Sequence, residues 1–204
     1  FTTVDRNCAV VGYTVVPEKA LELVPLLAVD CSFEKWDVRD VKELVYTESA
    51  AASESAQIVL TENLYAAAYG PQSPAGRPLY GTACSTGAIK SFRSRAYGLN
   101  GAVLSATGVK DHGAFCTEAE SMLTDSPAGT SDAPAAMTYL GGESRVAVPS
   151  SGIAHVTLAF AGPASPIVAD VIVQFLNISG GDAGVSAYSV PGLVGMYACG
   201  EASS

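Results

Sequence analysis

The spacing of apolar residues in the first third of the chain predicts a strand followed by helices. Alternating residues rich in Val, Tyr and Thr predict a strand over Asn7–Val16. Pro17 suits the first turn of a helix, and the apolar stripe behind it predicts an amphipathic helix over Pro17–Val29. Ser32 is the expected N-cap of a short turn after that helix.

The stretch from Asp37 to Tyr69 contains neither Gly nor Pro and is helical by its spacing. An unbroken helix there would be about 50 Å long, too long for a domain of this size. The small polar residues Ser49–Ser55 are a natural place for a break. We therefore expect two consecutive helices.

The pattern beyond Tyr69 alternates between turns, helices and strands. A loop is expected over Gly70–Gly81, which holds three prolines, and a linker over Ser126–Pro134. The predicted helices are Thr86–Tyr97, capped by Ser85 or Thr86, a short helix from near Asp111 to Leu123, and Ala164–Leu176. The predicted strands are Gly101–Thr107 (buried), Ser144–Val148, Ile153–Phe160 (central), Val185–Val190 and Leu193–Cys199, with a flexible turn at Gly180–Gly184.

This order of elements predicts the α+β class, with helices packed on antiparallel or mixed sheets. We expect a first αβ domain over residues 1–125, a linker over 126–142 and a second, shorter αβ domain over 143–204. Apolar residues make up 49% of the sequence and charged residues 15%, which excludes a mostly disordered chain.

The charge of the chain argues against nucleic acid as a partner. Eleven basic and 20 acidic residues give a net charge of −9, whereas binding to phosphate backbones requires a basic stripe. The densest positive patch is Lys90, Arg93 and Arg95, which is typical of a solvated helix face. No apolar run reaches the ~18–20 residues of a membrane-spanning helix, so no direct membrane span is expected.

The residues capable of chemistry form no recognisable catalytic pattern. The five cysteines include no C-x-x-C pair, which indicates free thiols in a reducing compartment. His112 is interpreted as an exposed or capping residue, and His155 as a half-buried hydrogen-bonding residue of a strand. The sequence spacing around Cys116 indicates no histidine partner for it. We interpret Cys116 as a buried thiol. No catalytic residue, metal ligand or cofactor site is predicted.

Two stretches give the chain a family resemblance. E-N-L-Y-A-A-A-Y-G-P-Q-S-P-A-G-R-P-L-Y-G (Glu62–Gly81), and Y-L-G-G-E-S-R-V with I-A-H-V-T-L-A-F-A-G-P within Tyr139–Pro163, resemble the pitrilysin/insulinase family of zinc metallopeptidases. The similarity is to its mitochondrial branch, which contains processing peptidase subunits and the core proteins of respiratory complex III. E-N-L-Y-A-A-A-Y is most similar to the second core protein, and G-R-P-L-Y-G is more similar to the peptidase-type subunits.

The resemblance implies structural positions and also departs from the family. The residues that match the family motifs are Glu62, Asn63, Gly76, Arg77, Pro78, Gly81, Gly141 and Gly142. The H-x-x-E-H zinc motif of active members is absent, and Glu48 or Glu54 alone could not hold zinc. The family chain continues beyond Ser204, so we expect either a fragment or a reduced version. Residues 1–125 would then be the C-terminal portion of the family's first αβ domain, and residues 143–204 a truncated second αβ domain.

The function that the resemblance implies is a non-catalytic structural core subunit of complex III, on the matrix side of the mitochondrial inner membrane. Its partners would be other subunits of a large mitochondrial membrane complex, including a second core-type subunit, and no cofactor is expected. The alternative is a subunit or fragment of a mitochondrial processing or presequence peptidase, for which a net charge of −9 would suit basic presequences. An unrelated α+β binding module is a third possibility.

Overall fold

The computed structural model describes residues 1–6, 8–27, 33–81, 84–124, 126, 128–130, 137–147, 152–180 and 184–201. The helices in these ranges are α1 (Val24–Leu27), α2 (Lys35–Glu54), α3 (Ala56–Tyr69), α4 (Thr86–Ala96), α5 (His112–Leu123) and α6 (Pro166–Gly180). The strands are β1 (Thr2–Val4), β2 (Ala9–Val11), β3 (Ile153–Ala161), β4 (Val185–Val190) and β5 (Leu193–Glu201). Single 3₁₀ turns lie at Pro17–Lys19, Leu21–Leu23 and Leu99–Gly101. The predicted α+β class is confirmed.

The chain divides into two compact units, each made of two separate stretches. One unit is Phe1–Val45 with Thr82–Pro134, and the other is Tyr46–Gly81 with Ala135–Ser204. The boundaries of these units differ from the predicted domain boundaries at 125 and 143. The predicted boundaries mark where two family domains join, and they stay a prediction. Residues 127 and 131–136 of the predicted linker lie outside the described residues, as do the predicted cap Ser32 and the centre of the predicted turn Gly180–Gly184.

The first unit combines a β-hairpin with a small helical core. β1 and β2 pair antiparallel, with Thr2 opposite Val11, so only part of the predicted strand Asn7–Val16 is formed. The predicted helix Pro17–Val29 is present over its described residues, 17–27, as two 3₁₀ turns followed by α1, and its last two residues lie outside the described ranges. Its residue Val24 is buried against Phe115 and Ala119 of α5.

The predicted buried strand Gly101–Thr107 is wrong. The backbone closes a 3₁₀ turn at Leu99–Gly101 and is irregular after it, and Val103 is 92% exposed. The amide of Asn100, just before the stretch, donates to the carbonyl of Ala128 (3.0 Å), and no described strand pairs with residues 101–107. An apolar run becomes a strand only where a neighbouring strand accepts its hydrogen bonds.

Local capping signals set the starts of three helices. α2 ends at Glu54 and α3 begins at Ala56, so the predicted break is confirmed at Ser55, whose hydroxyl accepts from the amide of Ile58 (3.5 Å). Ser85 caps α4 by accepting from Ala88 (3.2 Å), as predicted. Asp111 caps α5 by accepting from the amide of Ala114 (2.9 Å).

The second unit contains an antiparallel sheet with the strand order β3–β5–β4. β5 pairs with both neighbours, which places Phe160 opposite Val194 and Val190 opposite Leu193. The prediction that Ile153–Phe160 is central is therefore wrong, because β5 takes the centre and β3 lies at an edge. The predicted strand Ser144–Val148 is also wrong over its described part, 144–147, which is irregular.

Two helices pack on the sheet at different strands. α3 contacts β3, where Ala159 packs against the buried cluster of Tyr65, Tyr69 and Leu193. α6 contacts β4 and β5. Side chains of β3 accordingly alternate between half-buried and exposed positions.

Candidate functional site

Glu62 ties the predicted loop back to helix α3. Its carboxylate Oε2 accepts a hydrogen bond from the amide of Leu79 at 2.7 Å, although 17 residues separate the two. A hydrogen bond to an ionised carboxylate is stronger than one between neutral groups. Glu62 therefore closes the Pro- and Gly-rich segment into a fixed loop beside α3.

The loop requires glycine at Gly76 but not at Gly81. A Cβ atom at Gly76 would overlap the carbonyl oxygen of Gly70, whereas one at Gly81 would meet open space. The amide of Gly76 also bonds to the hydroxyl of Ser73 (2.9 Å). Arg77 and Pro78, which follow, are exposed. Of these motif residues, Gly76 is the one that the loop's packing demands.

The two stretches that carry the family resemblance lie against each other. The amide of Leu140 donates to the carbonyl of Ala68 at 2.7 Å, and the Ser144 hydroxyl donates to Asn63 Oδ1 at 3.0 Å. Gly141 has φ +71°, a backbone conformation that favours glycine. A Cβ at Gly142 would lie 3.0 Å from the carbonyl oxygen of Ala67. The glycine pair thus allows the segment to run closely along α3.

The Ser144 hydroxyl holds the start of residues 144–147 beside α3, and these residues pair with no strand among those that the structure describes. Glu62 and Asn63 lie in the middle of α3, Gly141 and Gly142 lie against its last turn, and Gly76 packs on Gly70 directly after the helix. Their importance as motif residues stays a prediction that mutation can test.

Two tyrosines of α3, which the sequence analysis did not single out, anchor the helix to the β4–β5 turn. The Tyr65 hydroxyl donates to the carbonyl of Pro191 at 3.1 Å, and the Tyr69 hydroxyl donates to that of Gly192 at 3.0 Å. Both side chains are at most 5% exposed. Burial raises the pKa of Tyr69, and the nearby Tyr139 raises it further. The available signal was their spacing of four residues, which places both on one helix face.

A small cavity beside Tyr69 has a volume of about 150 Å³. It is lined by Tyr69, Ser73, Pro74, Ala75, Met137, Thr138 and Leu140. None of these residues is a histidine, cysteine or carboxylate, so the lining offers no group that would act as a general base near neutral pH. The volume is below the ~300 Å³ at which pockets for small-molecule ligands begin.

His155 makes the hydrogen bond that the sequence analysis expected. Its Nδ1 lies 2.7 Å from the Tyr197 hydroxyl, and the ring is half-buried. Burial raises the pKa of Tyr197, and the neighbouring Cys199 adds to the shift, while a hydrogen bond with Gln57 acts in the opposite direction. Cys199 stands directly opposite His155 in the strand register.

His112 is exposed, as predicted, but the interpretation of Cys116 is wrong. Cys116 is half-buried, and its Sγ lies 3.5 Å from His112 Nε2 on the preceding turn of α5. A helix places residues four apart on one face, so the H-x-x-x-C spacing was the signal that the sequence analysis missed. Cys8, Cys84, Cys116 and Cys199 are free thiols, as predicted, and Cys31 lies outside the described residues.

The carboxylates of α2 do not assemble a metal site among the residues that the structure describes. Glu48 and Glu54 are both exposed. Within the described ranges there is no group of three or more His, Cys, Asp or Glu side chains placed to hold a metal ion. In the same part of the chain, no helix is both long and apolar enough to cross a bilayer.

Comparison with known proteins supports the family resemblance. The chain is 27% identical over 179 residues to mitochondrial-processing peptidase subunit alpha-2 of Dictyostelium discoideum, covering 84% of this chain and 39% of that protein. Its fold is similar to that of a chain in the structure of complex III2 from Candida albicans with Inz-5 bound. That match has a TM-score of 0.71 and 18% identity, and it covers 92% of this chain and 54% of the other. No family model matches the sequence.

The sequence likeness confirms the resemblance to the mitochondrial branch, and the structural likeness shows a shared α+β fold. The chain spans 39% of the curated relative and 54% of the matched chain in the solved structure.

Proposed function

We propose that the chain is a non-catalytic structural core subunit of mitochondrial complex III that lies on the matrix side of the inner membrane. The fold shared with a chain of complex III2 supports this assignment. The proposed role requires no metal chemistry from these 204 residues, in which no H-x-x-E-H motif occurs. In this role the chain contributes shape and contact area, and its partners are other subunits of the assembly, including a second core-type subunit.

The observation that carries the proposal is a set of exposed apolar side chains on β3 and α6 of the second unit, which we term the β3–α6 surface. β3 contributes three exposed side chains, and α6 contributes four at spacings that share one helix face. They are Val156, Leu158, Phe160, Ile167, Val171, Phe175 and Ile178, each more than half exposed to solvent.

This surface is almost uncharged. Within residues 152–180, Asp170 is the only Asp, Glu, Lys or Arg, although the chain as a whole carries a net charge of −9. Apolar patches of this kind on proteins mark surfaces that other polypeptides cover, because leaving them in water is unfavourable. The interior of such interfaces is depleted of charge in the same way.

The assignment is tested by tagging the chain in its source organism and separating mitochondrial complexes on a native gel. We expect the tagged wild-type chain to migrate with the cytochromes of complex III. Phe175→Glu, which charges the β3–α6 surface, is expected to release the chain from the complex. Phe92→Glu is the matched control, because Phe92 is also an exposed helical phenylalanine but lies on α4.

Migration of the wild-type chain apart from the cytochromes would refute the assignment to complex III. Retention of Phe175→Glu in the complex would show instead that the β3–α6 surface does not mediate the contact.

A second candidate function is a subunit of a mitochondrial processing peptidase, which the 27% identity to the Dictyostelium discoideum subunit favours. The negative charge of the chain would then attract basic presequences. Cleavage of an arginine-rich presequence peptide by the affinity-purified assembly, with stoichiometric zinc, would support this function. An assembly that contains cytochromes and leaves the peptide intact would favour the structural role.

A further inference from the structure

Each of the two histidines, His112 and His155, lies beside a cysteine. The two pairs differ in whether another side chain already bonds to the histidine ring. On β3 and β5, His155 is opposite Cys199, but the Tyr197 hydroxyl occupies His155 Nδ1 at 2.7 Å. On α5, Cys116 Sγ lies 3.5 Å from His112 Nε2 and 3.9 Å from Nδ1. The pair on α5 therefore presents sulfur and imidazole nitrogen directly to each other.

The separation of these two atoms matches the requirement of a tetrahedral metal ion. With Zn–S near 2.3 Å and Zn–N near 2.0 Å, two ligands at the tetrahedral angle lie ~3.5 Å apart. The Nε2–Sγ distance in the structure is 3.5 Å, and Sγ is nearly as close to Nδ1, at 3.9 Å, so the exposed His112 ring has to turn to point its Nε2 lone pair at an ion shared with Sγ. Ligands four residues apart on a helix are an established arrangement for zinc.

The helix that carries the pair is fixed in place. Phe115 and Ala119 of α5 are buried against Val24 in the core of the first unit. Asp111 caps the helix immediately before His112 and leaves a negative charge at this end of α5. His112 is exposed and Cys116 half-buried, so an ion can approach from solvent. Such preorganisation lowers the cost of bringing two ligands together.

We propose that His112 and Cys116 form a two-ligand binding site for a thiophilic divalent transition metal of the zinc class. His112 Nε2 and the Cys116 thiolate bind the ion, the thiol proton passes to solvent, and water completes the coordination. Thiolate and imidazole together favour zinc-class ions over Mg²⁺ or Ca²⁺, which prefer oxygen ligands. The proposal does not depend on the function proposed above.

The test is titration of the full reduced chain with Co²⁺, whose thiolate complexes have a characteristic charge-transfer absorption, followed by displacement with Zn²⁺. We expect one equivalent to bind with a thiolate band. Cys116→Ser and His112→Gln are each expected to weaken binding roughly tenfold or more, since even outer-shell changes at metal sites cost 10–100-fold. Cys199→Ser is the matched control and is expected to bind as the wild type does.

Three outcomes would overturn the proposal. These are wild-type binding by Cys116→Ser, loss of binding in Cys199→Ser, or a thiolate band whose affinity is unchanged in His112→Gln. The last result would mean that a single thiol binds the metal ion without help from His112. Circular dichroism confirms that each variant is folded, and Cys116→Ala serves as a second removal of the ligand if the serine variant is not.

Discussion

The hydroxyl of Tyr69 donates a hydrogen bond to the carbonyl of Gly192 at 3.0 Å across 123 residues of sequence. It connects the end of α3 to the turn between β4 and β5, and the same carbonyl accepts from the amide of Gly162 at 2.8 Å. A Cβ atom at Gly192 would collide with the Tyr69 hydroxyl, so the close approach also depends on this glycine. The contact fixes the helix that carries the family-like motif to the sheet.

Tyr69→Phe is expected to reduce the free energy of unfolding by about 0.5–1.5 kcal/mol, the usual net worth of one hydrogen bond. The loss stays in this range because the Gly192 carbonyl keeps its bond to Gly162. Urea unfolding measures it, and Tyr80→Phe, at an exposed tyrosine, is the control. Equal stability of the two variants would show that the Tyr69 hydroxyl contributes nothing.

Gly76→Ala and Gly81→Ala form a matched pair within one loop. The first places a Cβ against the backbone carbonyl of Gly70, which cannot rotate away as a side chain would, and the second meets open space. We expect Gly76→Ala to cost about 1–3 kcal/mol, as overpacking does, and Gly81→Ala to change the stability by about 0.5 kcal/mol or less. Thermal and urea unfolding provide the comparison, and similar costs for both would contradict the loop packing described here.

Glu62→Ala is expected to open the loop over 71–81, because the amide of Leu79 loses its carboxylate partner. A hydrogen bond to a charged group contributes about 1.5–3 kcal/mol. Hydrogen exchange at the Leu79 amide should accelerate, while Glu48→Ala, at an exposed carboxylate on α2, should leave that amide unaffected. Unchanged protection in Glu62→Ala would mean that another group holds the loop.

Stability is expected to decrease at alkaline pH. Burial raises the pKa of Tyr69, and burial also raises that of Tyr188 despite an opposing hydrogen bond with Thr157. A phenol whose pKa is higher in the folded state stabilises the fold fully below its ordinary value of 10.0, and this contribution is lost as the pH rises through the raised value. Unfolding measured from pH 8 to about pH 12 should show the decrease, and Tyr69→Phe should reduce its size. A wild-type curve that stays flat would contradict the raised pKa values.

The parts of the fold that the sequence predicted correctly are those fixed by neighbours in the chain. Ser55, Ser85 and Asp111 cap helices where the sequence placed helix starts, since a cap bonds to an amide only three residues ahead. The loop Gly70–Gly81 follows from its prolines and glycines for the same reason.

The two wrongly predicted strands show that a local apolar pattern does not by itself determine whether a stretch pairs as a strand. Gly101–Thr107 and the described part of Ser144–Val148 have apolar patterns, but neither stretch pairs with a strand among the described residues. β3 lies at the edge because β5 pairs with both β3 and β4. The spacing of apolar residues within Ile153–Phe160 contains no information about this pairing.

By itself, the sequence determined the α+β class, the starts of α3, α4 and α5, and the resemblance carried by Glu62–Gly81. Only the tertiary structure decided that this stretch lies against Tyr139–Ser144, that β5 is central, and that an apolar surface of β3 and α6 stays open to solvent. The physical reason is that capping and helical spacing act over three or four residues. Strand pairing, close packing at glycine and burial depend on groups that meet only when the chain has folded.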